Sequence, residues 1–452
     1  MKLISAPENG MMFSSTDLKA LLLPVIAEQL LSYLIGMMDS VMVASAGEAA
    51  VSAVSLVDSI SVLFINIFIS LAAGGAAVIG QYLGKKDTET ARHTSEQLTV
   101  LMAVISTVCA LLLILLQTPV LNILFGHAEP VIQENCGIYY HIVMFSIPFI
   151  ALYNAGSSLF RATGDSSTPM KISLLMNCIN IVGNAFLIYG CGMGVAGVAI
   201  PTLISRGIAA IGILLLALRK DFILNLRQLP QYKPNSHLIR NILYIGVPNG
   251  IESGMFQFGK LILMSLISSL TIAEVTANAI GNTIGSLHCC VGMAANTAQM
   301  AVISKCAGAG DYHQARWYIR YFLKFDYLWQ GLSNVVLTLL IPFTLWVYKA
   351  EGDTAYYTTG ILLIHSIGTI FLWPVAFSLT TGMRAAGDSQ YAMLISTISM
   401  WLCRVAGAYI MIRTFHTGVF GVWIAWIIDW VFRTVFFVPR YRSSLWETKR
   451  IQ

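Results

Sequence analysis

The sequence predicts an all-α integral membrane protein with twelve transmembrane helices, built as two six-helix bundles related by a pseudo-two-fold axis along the membrane normal. Three observations predict it. The chain is 56% hydrophobic and only 11% charged, with a mean hydropathy of +0.72. Its apolar residues gather in twelve blocks, each close to the roughly 20 residues that cross a hydrocarbon core about 30 Å thick. A set of short motifs in the first half returns, in the same order, in the second half.

The composition excludes most alternatives. Soluble domains carry about 25% charged residues, and a chain with 11% could not cover a water-facing surface. Inside lipid the backbone must satisfy its own hydrogen bonds, so blocks of this length read as helices. The net charge of +5 is modest and points to no nucleic-acid partner; the implied partner is the lipid bilayer. The eight cysteines form no CxxC pair and read as small buried hydrophobes, giving neither a disulfide framework nor a metal site. The eight histidines are scattered, and neither HExxH nor GxSxG occurs, so no enzyme and no cofactor are expected. Residues 1–16 have no short apolar core followed by a small-residue cleavage site, so the first helix is expected to be its own insertion signal.

The blocks run over about 17–44, 54–82, 93–118, 131–160, 168–190, 194–218, 240–269, 278–306, 316–345, 355–382, 391–412 and 418–440. Twenty-one of the 27 Lys and Arg residues fall in one alternating set of loops and tails, among them Lys85, Lys86, Arg219, Arg384 and Arg440. The opposite set holds only Lys349 and Arg413. Basic loops stay in the cytoplasm. Both termini are therefore expected on the cytoplasmic side of the plasma membrane, and the alternation independently supports an even count of twelve.

The longest polar connection, 219–236, divides the chain into an N-terminal lobe, 1–218, and a C-terminal lobe, 237–452. Gly84-Lys85-Lys86-Asp87 returns as Gly308-Ala309-Gly310-Asp311. Arg161-Ala162-Thr163-Gly164-Asp165-Ser166 returns, at nearly the same displacement, as Arg384-Ala385-Ala386-Gly387-Asp388-Ser389. Pro24 and Glu28 return as Pro248 and Glu252, and Gly197-Val198 as Gly421-Val422. Equivalent positions are six helices apart, so the two lobes share one orientation. Repeats of this kind belong to secondary transporters and place the substrate between the halves, near the midplane. Nothing in the chain demands more than a monomer.

Ionisable residues at membrane depth are costly and mark candidate sites. Asp39 lies well inside the first block, about three helical turns after Glu28 and so on nearly the same helix face. Glu252 and Lys260 share the seventh block, where they could line a cavity or form a secondary site. Arg404 occupies the repeat position of Asn180 and could set positive charge where the other half binds a cation. Asp429 and Arg433, one helical turn apart, read as a self-neutralising pair. Pro24, Pro148, Pro201, Pro248, Pro342 and Pro374 fall within helices, where each frees a carbonyl and permits a bend.

Taken in order, the duplicated turns, Pro24 followed by Asp39, and the six-plus-six helices resemble the multidrug and toxic compound extrusion family of antiporters over nearly the whole chain. The resemblance implies export of organic, often cationic, compounds in exchange for H⁺ or Na⁺ by alternating access. It implies that Asp39 is the cation-coupling carboxylate of the N-terminal half, with Asn180 and Thr202 as partners and Pro24 as the point where helix 1 bends. Asn184 stands where the family carries a second acid. One carboxylate with amide and hydroxyl oxygens is a weaker cage for a bare cation than two, since affinity follows charge count. The departure favours H⁺ over a Na⁺ ion at Asp39. Some members couple through a helix-7 Glu and a helix-10 Asp; Glu252 falls about one turn early, and no acid lies between Tyr357 and Thr381. A lipid-linked precursor or polysaccharide flippase of the same superfamily, or an exporter of one metabolite, is the alternative.

Overall fold

The computed structural model describes residues 10–45, 47–125 and 129–449, so most of the segment read as lacking a signal peptide lies outside it. Among the described residues the chain forms twelve long helical rods. In the first half they are α1 (Ser15–Ala44), α2 (Glu48–Gly84), α3 (Thr88–Leu115), α4 (Pro130–Thr163), α5 (Ser167–Gly190) and α6 (Ala196–Ala217). In the second they are α7 (Ser236–Ile267), α8 (Ile272–Gly308), α9 (Tyr312–Leu339 with Ile341–Val347), α10 (Gly352–Phe371 with Pro374–Ala385), α11 (Ser389–Arg413) and α12 (Gly418–Arg442). Eight of these are long and apolar enough to cross a membrane as single helices, and α9 and α10 qualify as bent pairs. The remaining two, α7 and α8, are 32 and 37 residues long. Their apolar character is diluted by Asn249, Glu252, Gln257 and Lys260 in one and by Asn278, Asn282, His288 and Asn296 in the other.

Proline shapes several rods. The breaks in α9 and α10 are 55° and 54° and coincide with Pro342 and Pro374, which cannot donate the helical hydrogen bond. In α4 the helix is interrupted at Ser146, just before Pro148. By contrast α1 and α7 continue through Pro24 and Pro248. Four rods contain a π-helical turn: Phe186–Gly190, Asp326–Gln330, Pro374–Ser378 and Met400–Ala406. Turns of this kind concentrate at functional positions.

The duplication extends to backbone geometry. Asp87 and Asp311 have φ of −89° and −88°, and each caps the next helix by accepting an amide hydrogen bond, from Thr90 and Gln314 respectively, at 3.0 Å. The helices before them end alike. Asp87 N donates to Tyr82 O and Asp311 N to Cys306 O, and the intervening residue is left-handed: Lys86 at φ 62° and Gly310 at 74°. Gly164 and Gly387, at φ 106° and 114°, close α4 and α10 the same way. Lys86 therefore holds a conformation that its repeat mate meets with glycine. Lys86→Gly is expected to raise thermal stability slightly, by up to about 1 kcal/mol, because relief of the strained Cβ outweighs the added freedom of the unfolded chain. A melting curve of the purified protein checks it; a lower melting temperature would contradict the reading.

By packing, the described chain falls into two compact units. One is Leu23–Gly250; the other joins the residues up to Leu22 with those from Ile251 onward. Their boundaries lie inside α1 and α7, beside Pro24 and Pro248. In the second unit Phe13, Leu18, Leu21 and Leu22 are buried in a cluster with Ile303, Tyr318, Phe322, Phe437 and Trp446. Tyr318 donates its hydroxyl to Phe13 O and accepts from Phe13 N, both at 2.9 Å. In the first unit α7 meets α2 backbone to backbone, and a Cβ on Gly74 would stand 2.4 Å from Gly246 Cα. The connection 219–236 folds against α3 and α4. Gln97 donates to Lys233 O and accepts from Tyr232, both at 2.8 Å, and Phe222 stacks on Phe160 at 4.3 Å.

Candidate functional site

Four residues singled out in the first half form one hydrogen-bonded chain. Asn184, fully buried on α5, donates its amide to Asp39 on α1 and to Asn180 Oδ1 at 3.3 Å. Asn180 in turn donates to Thr202 Oγ1 on α6 at 3.1 Å, and Thr202 returns its proton to Val198 O. The sequence arranges this locally. Asn180 and Asn184 are one helical turn apart and share a face. Gly183 has no side chain where Pro201 packs; a Cβ there would lie 2.7 Å from Pro201 Cβ, so α5 and α6 approach closely beside the two amides.

The set offers one carboxylate, two amides and one hydroxyl. Asn184 Oδ1 is buried and has no partner among the described residues. That oxygen supply suits a proton or one hard cation, with Asp39 as the only charge in it. Among the described residues no three His, Cys, Asp or Glu side chains are grouped as a metal site. Nearby elements carry a second polar pair that was not linked in sequence: Tyr139 donates to Asp58 at 3.0 Å, and Arg206 donates to Ser146 Oγ at 2.7 Å.

Glu28 and Glu252, expected as cavity or secondary-site acids, are both engaged by arginine. Arg161 reaches Glu28 at 3.0 and 2.8 Å, and Arg384 reaches Glu252 at 2.5 and 2.6 Å. These arginines open the duplicated Arg-Ala-x-Gly-Asp turns, so the same ion pair is built once in each half. The sequence carried the signal, because both partners of each pair recur at the displacement of the repeat. Pro24 lies one turn before Glu28 within an unbroken α1.

In the second half Asp429 and Arg433 pair at 3.0 Å, as their spacing implied, and Ser399 donates to the same carboxylate. Lys260 and Arg404 both approach the Phe256 ring. Two buried features were not foreseen. His288 and His365 stack with their Nδ1 atoms 3.0 Å apart, although they lie far apart in sequence on α8 and α10. Asp326, fully buried in the π turn of α9, accepts a hydrogen bond from Ser378 in the π turn of α10. Neither pairing follows a helical spacing, so only the tertiary fold reveals it.

Comparison with known proteins agrees with this architecture. A family model described as MatE matches residues 24–186 and again 248–410, so the two matches stand in the register of the repeat that carries Pro24 to Pro248. The probable multidrug resistance protein NorM of Thermotoga maritima is 24% identical over 441 residues, covering 96% of this chain and 94% of that one. The probable multidrug resistance protein YoeA of Bacillus subtilis is 24% identical over 414 residues, covering 90% and 88%. A crystal structure of a MATE protein in the bent conformation superposes with a TM-score of 0.86 at 19% identity over 96% of both chains, which shows the shared fold. The family match over both halves, in the order and register of the repeat, establishes that this chain belongs to the MatE family of multi-pass membrane transporters.

Proposed function

We propose that this chain is a secondary active exporter of small organic compounds, organic cations and other xenobiotics among them, which it exchanges for H⁺ or Na⁺ by alternating access. The observation that carries the proposal is the hydrogen-bonded chain from Asp39 through Asn184 and Asn180 to Thr202. It holds a single carboxylate at membrane depth with one unfilled oxygen beside it. A group so placed is costly unless it binds something. The names of the multidrug relatives support the substrate class. With one charge in the set, H⁺ is the favoured ion.

In the proposed cycle the lobes 1–218 and 237–452, joined by 219–236, exchange access between the two sides. Bending of α1 near Pro24 follows the ionic state of Asp39. The working unit is a monomer in the plasma membrane with both termini cytoplasmic. Ion and substrate oppose each other, and each lowers the other's affinity by one factor, which is the thermodynamic content of antiport.

Ethidium efflux from cells lacking their own pumps tests this, with Na⁺ present or absent and with a protonophore. The expected result is efflux that collapses with the protonophore and ignores Na⁺. Efflux that requires Na⁺ would reverse the ion assignment. No efflux of ethidium or other organic cations would overturn the substrate class and direct attention to a specific metabolite or a lipid-linked precursor.

A further inference from the structure

The second half carries positive charge that its own acids do not answer. Lys260 on α7 and Arg404 on α11 each lie several turns' length from the nearer end of the rod that carries them, well inside the span. Lys260 Nζ stands 5.1 Å from the centroid of Phe256, and the Arg404 guanidinium stands 4.9 Å from the same centroid. The two cations therefore share one ring. Gly259 brings the helices together here, since a Cβ on it would meet Met400 at 2.3 Å.

Among the described residues neither cation forms an ion pair. The acids that could serve are occupied: Glu252 by Arg384, and Asp429 by Arg433 and Ser399. Arg404 is 2% exposed, yet its only hydrogen bond is to Met400 Sδ at 3.9 Å, and its Nε has no partner. Trp426 lies against the guanidinium, its ring centroid 3.8 Å away, so the flat face is covered and the donor edge is left to be filled. The indole Nε1 of Trp426 is likewise buried and unpartnered. Lys260, in contrast, is exposed. One buried, unsatisfied guanidinium and one accessible ammonium share an aromatic wall.

We propose that Lys260, Arg404, Phe256 and Trp426 form a binding site for the anionic group, a carboxylate or phosphate, of an aromatic organic substrate. Arg404 supplies the planar donor edge that matches such a group, and Lys260 supplies a second charge at the accessible side. The rings hold the body of the molecule. The transported range then includes aromatic anions and zwitterions besides organic cations. Direction of transport rests on the exporter reading; binding at this site does not.

Two experiments separate these. Carboxyfluorescein, a membrane-impermeant aromatic carboxylate, is titrated against the purified protein in phosphatidylcholine nanodiscs by fluorescence anisotropy. Everted vesicles then compare energised uptake of carboxyfluorescein and ethidium. Wild type is expected to bind and take up the dye. Lys260→Gln, at an accessible position, is expected to weaken binding and to lower the carboxyfluorescein-to-ethidium uptake ratio about tenfold. Arg404→Gln is expected to do more, with Arg404→Lys intermediate. Binding without uptake of either dye would support the site while overturning the exporter reading. Wild type that does not bind the dye, or Lys260→Gln that binds it equally well, would overturn the site. Displacement by phosphatidylglycerol with no dye uptake, while ethidium is taken up, would overturn the substrate role and assign the cations to a lipid phosphate.

Discussion

Asp39→Asn should abolish ion-driven export while leaving a folded protein. The substituted amide still offers an oxygen to Asn184, so the hydrogen bond that Asp39 accepts there can persist. What is lost is the one charge in the set, and with it the competition between ion and substrate. Coupling free energies of about 1–3 kcal/mol correspond to about 5–150-fold, and the gradient-dependent part of ethidium efflux should fall by that much at matched expression. The complementary change is Asn184→Asp. It puts a second carboxylate beside Asp39, where charge count favours a bare cation, so Na⁺ dependence should appear or strengthen. Efflux by Asp39→Asn that still follows the proton gradient would remove Asp39 from the coupling role.

A substitution far from that set should have the largest effect on stability. A methyl group on Gly74 would lie 2.4 Å from Gly246 Cα and 2.6 Å from Gly246 N, against backbone that cannot swing aside. Small residues at helix contacts in lipid permit this closeness, and packing gained there is a main force holding the helices together. Gly74→Ala should cost about 1–3 kcal/mol or more, the range of overpacking in a close-packed interior. Gly75→Ala is the informative control. Its added methyl would meet the tip of Leu98, a flexible side chain, so the loss should be smaller. Gly250→Ala, where the nearest atom is 3.5 Å away, should be nearly neutral. Melting of the three variants in detergent, followed by size-exclusion chromatography, gives the ranking. Equal losses would show that close backbone approach between α2 and α7 is not what limits packing.

The fold was legible because lipid imposes two strong regularities, block length and the alternation of basic loops, and because the chain repeats itself. Helix ends were less so: α2 begins at Glu48, before the apolar block near 54, because its first turns are polar enough to escape a hydropathy reading. The prolines marked both sharp bends, at Pro342 and Pro374, but did not distinguish them from Pro24 and Pro248, which the helices pass through. At the site, Asp39 was visible as an acid out of place, and resemblance supplied Asn180, Asn184 and Thr202 as its company. The arginine partners of Glu28 and Glu252 were readable in principle from the duplicated spacing. The stacked His288 and His365 were not, since their meeting depends on how α8 and α10 pack.

The burial of Phe13, Leu18, Leu21 and Leu22 among the last helices bears on the order of synthesis. The chain is made from its N-terminus at about 5–20 residues per second, so Phe13 and Leu18 are in the membrane long before Tyr318, Phe437 and Trp446 exist. The opening segment of α1 must wait, unburied, until the final helix is complete. The first residues made are thus among the last to find their places, and their docking reports that the whole chain has arrived. A ribosome-stalled chain ending before Phe437 should leave a cysteine placed at Leu18 open to a thiol reagent that the finished protein excludes.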